Sequence, residues 1–418
     1  MMIHIDKERF VTAMKEQAEI GAVGDTGLHR LTLSDADCDV RDWFADQMKK
    51  EGLAIRIDEI GNMFGRRNGT NPDAKPILVG SHLDSQPNGG IYDGPLGTVA
   101  ALELIRTLNE HGIETEHPIE IVNWTNEEGS RFQPAMMGSG VWAGAQSVTD
   151  AYETTDSDGN RFENELERIG YRGNEPAEPA EEYEAYLELH IEQGPVLDRE
   201  DLSVGIVTGI VGFTWGAVTF EGDANHTGTT PMNYRSDALV AAADVITAVR
   251  RLPSTLGERT VGTTGVIEGT PNSINIIPGE VTITWDVRDP ADEVVEEAYQ
   301  RVRKEIEAAA SREGVDYRHE ERMRAPAVTF SDRCIEAVSQ AASELGYETK
   351  RMISGAGHDA THAAAVCDTA MVFAVSKNGR SHSPAEYTSW DDAYKAANTL
   401  CNAALSLAQS EQPSRIDQ

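Results

Sequence analysis

The first residues of this sequence that could do chemistry together lie in the string GSHLDSQPNGGIYDG. His82 and Asp84 follow an apolar run, and Asp93 lies in the glycine-rich segment after it. An imidazole can bind a metal ion through one nitrogen while a nearby carboxylate orients the ring through the other. Asp84 suits that orienting role, and Asp93 is placed to bridge two cations. Taken alone, the motif has an ordinary alternative, which is a solvated loop histidine.

Two adjacent glutamates, Glu127 and Glu128, lie in the string WTNEEGSRF. Neighbouring carboxylates repel each other, so the pair is costly unless a cation or a shared proton relieves the repulsion. One acid can bind a metal ion while the other takes a proton from water. The alternative is an exposed acidic turn, because acidic residues are frequent throughout the chain.

Two further histidines complete a possible ligand set. His190 lies in LELHIEQGP and His382 in GRSHSPAEY, and each string adjoins a predicted strand. Ligands in open α/β sheets gather beyond the carboxyl ends of the strands. Histidine and carboxylate ligands without a thiolate suit a pair of Zn²⁺ or Mn²⁺ ions. The common position of these residues at strand ends therefore predicts a two-metal site.

The elements that carry these residues alternate between strand and helix patterns. PILVGSHLDS, PIEIVNWTNEEG and AYLELHIEQGP indicate strands, and TVAALELIRTLNEHG has apolar residues at helical spacing with a glycine at its end. Residues 150–186 are acidic and contain proline and glycine, which is typical of an exposed excursion of helices and loops. The alternation predicts an α/β fold with a central mixed sheet flanked by helices.

The pattern changes at about residue 212. From there the order of predicted elements is β-α-β-β-α-β, which is typical of a ferredoxin-like α+β unit. After residue 326 the helix and strand patterns of the first part return. We therefore expect one catalytic α/β domain from residues 1–211 and 327–418, interrupted by an inserted domain at 212–326.

The charge of the chain is strongly negative. Thirty-six basic residues against 70 acidic ones leave a net charge of −34, which argues against nucleic acid and anionic membranes as partners. The acidic residues are spread over the whole chain. This distribution favours a halophilic protein, because salt screens the self-repulsion of an acidic surface. The alternative is an ordinary acidic cytoplasmic protein.

Other features bear on the compartment. No run of 18 or more apolar residues occurs, and the first residues, MMIHIDKERF, lack a basic segment followed by an apolar one. The four cysteines are scattered without metal-site or disulfide spacing. We therefore expect a cytoplasmic protein.

The chain resembles the zinc-dependent amidohydrolase family that contains N-carbamoyl-L-amino-acid hydrolases, allantoate amidohydrolases and β-ureidopropionases, also called the hydantoinase/carbamoylase family. The resemblance extends over nearly the whole chain, through GSHLDS, GGIYDGPLG, NEEGSRF, LELHIEQGP, NHTGTTPM, SINIIPGEV, WDVRD, GAGHDA and SHSPAE. LHIEQGP and NHTGTTPM are its most specific strings and separate this branch from aminoacylases and dimetal aminopeptidases. The resemblance implies a dimetal-peptidase-like catalytic domain with an inserted lid, and a homodimer formed through that lid.

The resemblance also implies a ligand set and a base. The first cation is implied to bind His82, Asp93 and His190. The second is implied to bind Asp93, Glu128 and His382. Glu127 is implied as the general base and Asp84 as the support of His82. We expect two divalent cations per subunit, with Zn²⁺ first and Mn²⁺, Co²⁺ or Ni²⁺ as alternatives.

Five residues are implied on the substrate side. Arg288 in WDVRD would clamp a substrate carboxylate, with Asn275 in SINIIPG bonding the same end. His226 in NHTG would stabilise the oxyanion, in this family often in the partner subunit's site. Gln193 would contact the ureido or amide group, and His358 in GAGHDA would lie near the substrate or beside a ligand. The alternatives are a surface ion pair for Arg288, a loop histidine for His226 and a packing or helix-capping residue for His358.

The function implied is hydrolysis of the carbamoyl C–N bond of N-carbamoyl-L-amino acids by a metal-bridging hydroxide, with Glu127 as general base. Allantoate and β-ureidopropionate are alternative substrates, since each carries a carboxylate and a ureido group. A dimetal aminopeptidase or an N-acyl amino acid deacylase is a more distant alternative. A non-catalytic binding protein is a third, which the complete set of ligands and base argues against.

Overall fold

The structure is a computed structural model of the chain and describes residues 2–409. The chain divides into two compact units. The first comprises the chain up to Thr208 and from Phe330 onward, and the second comprises Gly209–Thr329. The segment predicted as an insertion, 212–326, lies inside the second unit.

The first unit combines strands and helices in alternation. Its strands are Ala22–Val23, Gly27–Leu28, Ala54–Ile57, Met63–Arg67, Ile77–His82, Ile119–Trp124, Ala185–Ile191, Val204–Ile210 (which runs into the second unit), Thr349–Ser354 and Asp368–Ala374. Its helices are Lys7–Glu19, Asp35–Lys50, Pro95–Glu110, Met137–Trp142, Val148–Glu153, Phe162–Arg168, Val196–Glu200, Asp332–Glu344, Ala360–Ala363 and Trp390–Ala408, with a 3₁₀ turn at Lys377–Gly379. Among residues 2–409, every helix is too short or too polar to cross a membrane.

Four parallel strands form the centre of the sheet. Their spatial order is Ile119–Trp124, Ile77–His82, Ala185–Ile191 and Asp368–Ala374. Almost every residue in them is buried, as expected for strands covered on both faces, which have nearly continuous apolar sequences. Because the four strands are parallel, their carboxyl ends meet at one edge of the sheet.

Antiparallel strands extend this centre on both sides. Met63–Arg67 pairs with Ile119–Trp124, and Ala54–Ile57 pairs with Met63–Arg67. On the other side Val204–Ile210 pairs with Asp368–Ala374. The sheet is therefore mixed and flanked by helices, and the predicted fold class is confirmed.

The helix Pro95–Glu110 fixes the loop that precedes it. The helix packs against the central strands. Pro95 lies in its first turn, where backbone N–H groups have no hydrogen-bond partner within the helix, so the helix loses no bond by having proline there. Gly94, just before it, has a φ of 80°. A Cβ atom at this position would overlap the ring of His82. Glycine is thus required for Asp93 to pass this close to that histidine.

The second unit contains a five-stranded antiparallel sheet with helices. Its strands are Gly212–Glu221, Asn225–His226, Val261–Thr263, Ile267–Thr270, Ile276–Ile277, Glu280–Asp289, Asp316–Ala325 and Val328–Thr329. Its helices are Ala238–Arg251, Pro253–Leu256 and Asp292–Glu313, with a 3₁₀ turn at Met232–Tyr234. The β-α-β-β-α-β order matches the predicted ferredoxin-like pattern.

The second strand of the β-α-β-β-α-β order is interrupted. It forms two segments, Val261–Thr263 and Ile267–Thr270, which both pair with Glu280–Asp289. The register shifts by one residue between the two segments, since Thr263 pairs with Asp286 and Ile267 with Ile283. Such a shift is a bulge, which a glycine inside a strand pattern often marks.

The two long helices of the second unit cover one face of its sheet. Val281, Ile283, Trp285 and Val287 point into that apolar core. Because successive side chains of a strand point to opposite faces, Arg288 lies on the face that those helices do not cover.

Candidate metal centre

The carboxyl edge of the parallel strands brings the predicted ligands together. Possible ligand atoms of His82, Asp93 and His190 all lie within 4.8 Å of one another. The same is true of Asp93, Glu128 and His382. Asp93 belongs to both groups, which is the arrangement that two adjacent cations would need.

The two buried histidines are oriented by backbone carbonyls. Nδ1 of His82 lies 3.0 Å from the carbonyl oxygen of Asp84, and Nδ1 of His190 lies 3.0 Å from that of Ile191. A carbonyl can only accept, so each ring carries its proton on Nδ1 and presents the Nε2 lone pair. Nε2 of His82 is buried and has no hydrogen-bond partner among residues 2–409.

Asp93 directs one oxygen to each group. Oδ1 lies 3.0 Å from Nε2 of His190 and 3.6 Å from Nε2 of His82. Oδ2 lies 3.4 Å from Nε2 of His382. Lone pairs that face each other at these distances require a proton or a cation between them. The donor set therefore fits divalent metal ions.

His382 reaches the second group from an exposed loop. Its backbone has a φ of 53°, a left-handed conformation that is unfavourable for a residue with a side chain. Its Nε2 atom lies 3.7 Å from Oε2 of Glu128. The imidazole is half exposed, whereas the carboxylates of Asp93 and Glu128 are almost fully buried.

Asp84 has a wider role than the sequence indicated. Its carboxylate lies 3.6 Å from Nδ1 of His82, farther than its own carbonyl oxygen. The two carboxylate oxygens accept from the backbone N–H groups of Glu127 and Glu128, each at 3.3 Å, and Oδ2 also accepts from Thr32 at 2.7 Å. Asp84 thus connects the histidine loop to the glutamate pair.

The two adjacent glutamates have different contacts. Glu128 is held by Gln86, whose backbone N–H donates to Oε1 at 3.0 Å and whose amide donates to Oε2 at 2.6 Å. Oε2 of Glu127 lies 3.5 Å from Nε2 of His82. Asn126, which precedes the pair, has a left-handed φ of 58°. This turn lets two neighbouring carboxylates take different positions at the strand end.

The site is rich in negative charge. Burial, followed by the charge of Asp93, raises the pKa of Glu128 to about 7. Burial also raises the pKa of Glu127 well above its usual value, although the charge of His82 opposes this. The hydrogen bond to Asp93 raises the pKa of His382 to about 9. Bound cations would supply positive charge beside these two buried glutamates.

Several polar residues at this edge were not singled out from the sequence. Glu188 accepts from Ser81 at 2.8 Å and from the backbone N–H of Ala360 at 3.0 Å. Asp359 accepts from Ser139 at 2.5 Å. Gln86, Ser381, Glu386, Glu188 and Asp359 all lie within or beside the quoted strings. The signal that could have identified them is their place in the sequence, as polar residues close to the predicted ligands.

Gln193 and His358 contact different members of the two groups. The amide nitrogen of Gln193 lies 2.8 Å from Oδ2 of Asp93 and 3.2 Å from Nε2 of His382. His358 is buried, with Nε2 2.9 Å from Oγ of Ser354 and its ring edge-on to that of His190 at 4.4 Å. This packing favours the packing role considered for His358 over contact with a substrate.

The other predicted substrate residues lie in the second unit. His226 and Asn275 are exposed neighbours, because Asn225–His226 pairs with Ile276–Ile277 and the N–H of Thr227 donates to the carbonyl of Asn275 at 3.2 Å. Nδ1 of His226 accepts from the N–H of Gly228 at 3.0 Å. With its proton on Nε2, the ring can donate a hydrogen bond outward.

Arg288 is partly exposed and forms an ion pair. Its guanidinium lies 3.0 Å from a carboxylate oxygen of Asp286. Its central carbon lies 5.5 Å from the ring centre of Phe213 and 6.0 Å from that of Trp215. The ion pair considered as an alternative is therefore present. It also holds the guanidinium in place, so that pairing and a role in binding are compatible.

The chain is similar to known proteins over nearly its whole length. Residues 78–406 match the model of peptidase family M20/M25/M40. An N-carbamoyl-L-amino-acid amidohydrolase of Rhizobium meliloti is 40% identical over 405 residues, covering 97% of each chain. An allantoate amidohydrolase of Bacillus subtilis is 36% identical and covers 89% of this chain and 90% of its own. A solved hydantoinase/carbamoylase-family amidase of Burkholderia multivorans has 42% identity and a TM-score of 0.94, covering 98% of this chain and 99% of its own.

Proposed function

Since the chain belongs to peptidase family M20/M25/M40, we propose that it is a two-metal hydrolase of the carbamoyl C–N bond of N-carbamoyl-L-amino acids. The observation that carries the metal part is the position of Asp93, with one oxygen toward His82 and His190 and the other toward His382. The substrate part is supported by the full-length relatives named for this activity.

The proposed ligands form two groups that share Asp93. His82 and His190 would hold the first ion with it, and Glu128 and His382 the second. When bound, the ions would polarise the substrate carbonyl and lower the pKa of water. Zn²⁺ is our first expectation, and Mn²⁺, Co²⁺ and Ni²⁺ suit the same nitrogen and oxygen donors.

Glu127 is the proposed general base. Its carboxylate is buried beside His82, and its peptide is fixed on both sides: its N–H donates to Asp84 and its carbonyl accepts from Met136 at 2.7 Å. A base held in this way can take a proton from the attacking water and return it to the leaving nitrogen. Hydrolysis of a carbamoyl amino acid with one water then gives the free amino acid, carbon dioxide and ammonia.

Four residues are proposed to bind the substrate. Gln193, at the ligands, would bind the ureido group through its amide. In the second unit, Arg288 would bind the substrate carboxylate through its planar guanidinium, and Asn275 would bond the same end. His226 would donate from Nε2 to the oxyanion as it forms.

Other members of the family suggest other substrates. Allantoate is the first alternative, because an allantoate amidohydrolase is among the full-length relatives. β-Ureidopropionate shares the same carboxylate and ureido groups. An aminopeptidase is less well supported, since it would need a site for a free α-amine instead of Arg288, Asn275 and Gln193.

We also propose that the protein is a homodimer formed through the second unit. Val261 and Ile267 on the edge segments of its sheet are about half exposed, and Leu239 and Val240 on a helix are also exposed. An edge strand with apolar side chains offers a surface for pairing with a second chain.

Dilution followed by sedimentation analysis and an ammonia assay tests the homodimer. Activity should fall as the dimer dissociates if His226 serves the partner's site. Full activity of a monomer would contradict that role.

The test of the function is ammonia release from a substrate panel. The metal-free protein would be reconstituted with each of the four metals and given N-carbamoyl-L-amino acids, allantoate, β-ureidopropionate and dipeptides. We expect the highest kcat/KM for the carbamoyl amino acids. Preference for allantoate would select the first alternative, and cleavage of dipeptides alone would refute the proposal.

A further inference from the structure

We propose that Glu386 is a positioning residue for the two metals, because it fixes the loop that carries Asp93 through both its backbone and its side chain. The inference rests on the proposed two-metal function. It concerns a residue outside both ligand groups, four positions after His382, on a loop that meets the Asp93 loop only through folding.

The first contact is to the backbone of the Asp93 loop. Oε1 of Glu386 accepts from the N–H groups of Tyr92 and Asp93, each at 3.1 Å. Glu386, Tyr92 and Asp93 are all almost fully buried. Two buried N–H groups that share one acceptor lose both bonds when that acceptor is removed, and water cannot easily replace it. The peptide that leads into Asp93 therefore depends on this carboxylate.

The second contact reaches the side chain of Asp93. Oε2 of Glu386 lies 3.2 Å from Oγ of Ser381, and the same Oγ lies 3.0 Å from Oδ2 of Asp93. Ser381 directly precedes His382. One carboxylate thus connects the loop of the shared ligand to the loop of a ligand for the second metal.

The Asp93 loop has a sequence feature that matches this carboxylate. A Cβ atom at Gly90 would overlap Oε1 and the carboxyl carbon of Glu386. The φ of Gly90 is not positive, so glycine is needed here for space rather than for backbone conformation. Gly90 and Glu386 are therefore complementary in shape, because the glycine leaves the space that the glutamate side chain fills.

Apolar packing alone does not explain the contact. The ring of Tyr92 packs against Tyr387 at 6.3 Å and Trp390 at 5.4 Å, and this holds the loops together. Ring packing tolerates small displacements, whereas ligands must be placed within a fraction of an ångström of the productive geometry. The directional bonds of Glu386 supply that precision. Substitution of a residue that hydrogen-bonds to a metal ligand commonly lowers metal affinity or activity by about 10- to 100-fold.

The test compares Glu386→Ala with Glu386→Gln. The amide of glutamine keeps an oxygen acceptor for the two N–H groups, and its NH₂ group can donate to Oγ of Ser381 while the serine hydroxyl donates to Asp93, whereas alanine does neither. Glu103→Ala is the matched control, since Glu103 is also buried but lies more than two turns along the helix that follows Asp93 and pairs with Arg9 at 2.6 Å. Zn²⁺ per subunit would be measured after dialysis against graded chelator, and the melting temperature of each metal-free protein would be measured separately.

We expect Glu386→Ala to bind Zn²⁺ about 10- to 100-fold more weakly than wild type. Glu386→Gln should restore affinity to within a few-fold, and Glu103→Ala should lower the melting temperature without changing affinity. Wild-type affinity in folded Glu386→Ala would overturn the inference, and so would a glutamine variant as weak as alanine. If Glu386→Ala does not fold, Gly90→Ala in the wild-type background should weaken Zn²⁺ binding by displacing the same carboxylate, and unchanged affinity there would also overturn it.

The proposed function fails in a different way. If the wild-type protein itself binds no pair of metal ions, the two-metal function is wrong whatever the variants do. If wild type binds two ions and Glu386→Ala binds them equally well, only the role of Glu386 is lost.

Discussion

Oδ1 of Asp93 lies 3.0 Å from Nε2 of His190, the ring nitrogen that is left to bind a cation or a proton because Nδ1 donates to the carbonyl of Ile191. Two lone pairs at this distance repel unless a cation or an additional proton lies between them. The other oxygen of Asp93 faces His382 in the same way. We propose that the Asp93 carboxylate binds one cation on each side.

Glu127→Gln should reduce turnover by about 10²- to 10⁴-fold while both metals stay bound, because the amide cannot accept the proton of the attacking water. Ammonia release and metal content would be measured on the same sample. Glu120→Gln is a suitable control, since Glu120 is a buried glutamate on the strand before Glu127 and bonds to Tyr183. Turnover that survives in Glu127→Gln would remove Glu127 from its role.

Arg288→Ala should raise KM for substrates with a carboxylate by about 10- to 100-fold, since a hydrogen bond to a charged group contributes about 1.5–3 kcal/mol. The change in kcat should be smaller. Arg324→Ala is the matched control, because Arg324 lies in the same sheet and pairs with Glu321 at 2.9 Å. An unchanged KM in Arg288→Ala would contradict the proposed clamp and leave the ion pair with Asp286 as its only role.

The stabilisation given by metal should increase with pH. Burial and the charge of Asp93 raise the pKa of Glu128 from 4.5 to about 7, and the hydrogen bond to Asp93 raises the pKa of His382 from 6.5 to about 9. Both groups hold protons more tightly in the metal-free folded protein than in the unfolded chain. Their contribution to stability is therefore present below pH 4.5 and 6.5, respectively, and is lost as pH rises through about 7 and about 9.

Metal ions compete with these protons for the same ligands. The difference in melting temperature between metal-loaded and chelator-treated protein should therefore widen from about pH 6 to about pH 9. Thermal unfolding monitored by circular dichroism in matched buffers would measure it. A difference that is constant or narrows with pH would show that these residues do not bind the metal.

The halophilic interpretation stays a prediction and has a direct measurement. A net charge of −34 on one chain produces self-repulsion that salt should screen, since the Debye length falls from about 10 Å at 0.1 M to about 3 Å at 1 M. The melting temperature should therefore rise between low and molar KCl. A flat or falling melting temperature would favour an ordinary acidic protein.

The fold could largely be predicted because its pattern is local. Buried parallel strands are nearly continuous apolar runs, so Ile77–His82 and Ala185–Ile191 were identifiable, and parallel strands place their carboxyl ends together. The bulge between Val261–Thr263 and Ile267–Thr270 was not predicted, because both segments are largely exposed and no buried apolar face fixes their register.

The sequence predicted residues that the structure brings together at this edge of the sheet, but not the residues that position them. Histidine and carboxylate types at strand ends indicate metal chemistry by themselves. Gln86, Glu188 and Glu386 bond to partners that are distant along the chain or on a separate loop, so spacing in the sequence does not reveal them. The case of Asp84 is similar, since its bonds to the glutamate pair depend on two strands that become neighbours only in the folded sheet.

The central claim is that one carboxylate serves two cations, and metal stoichiometry tests it most directly. Elemental analysis after equilibrium dialysis should give two divalent ions per subunit for the wild-type protein. His190→Ala should lose the first ion selectively, whereas Asp93→Ala should weaken both. A wild-type protein that saturates with a single ion, or an Asp93→Ala variant that still binds two with undiminished affinity, would contradict the account.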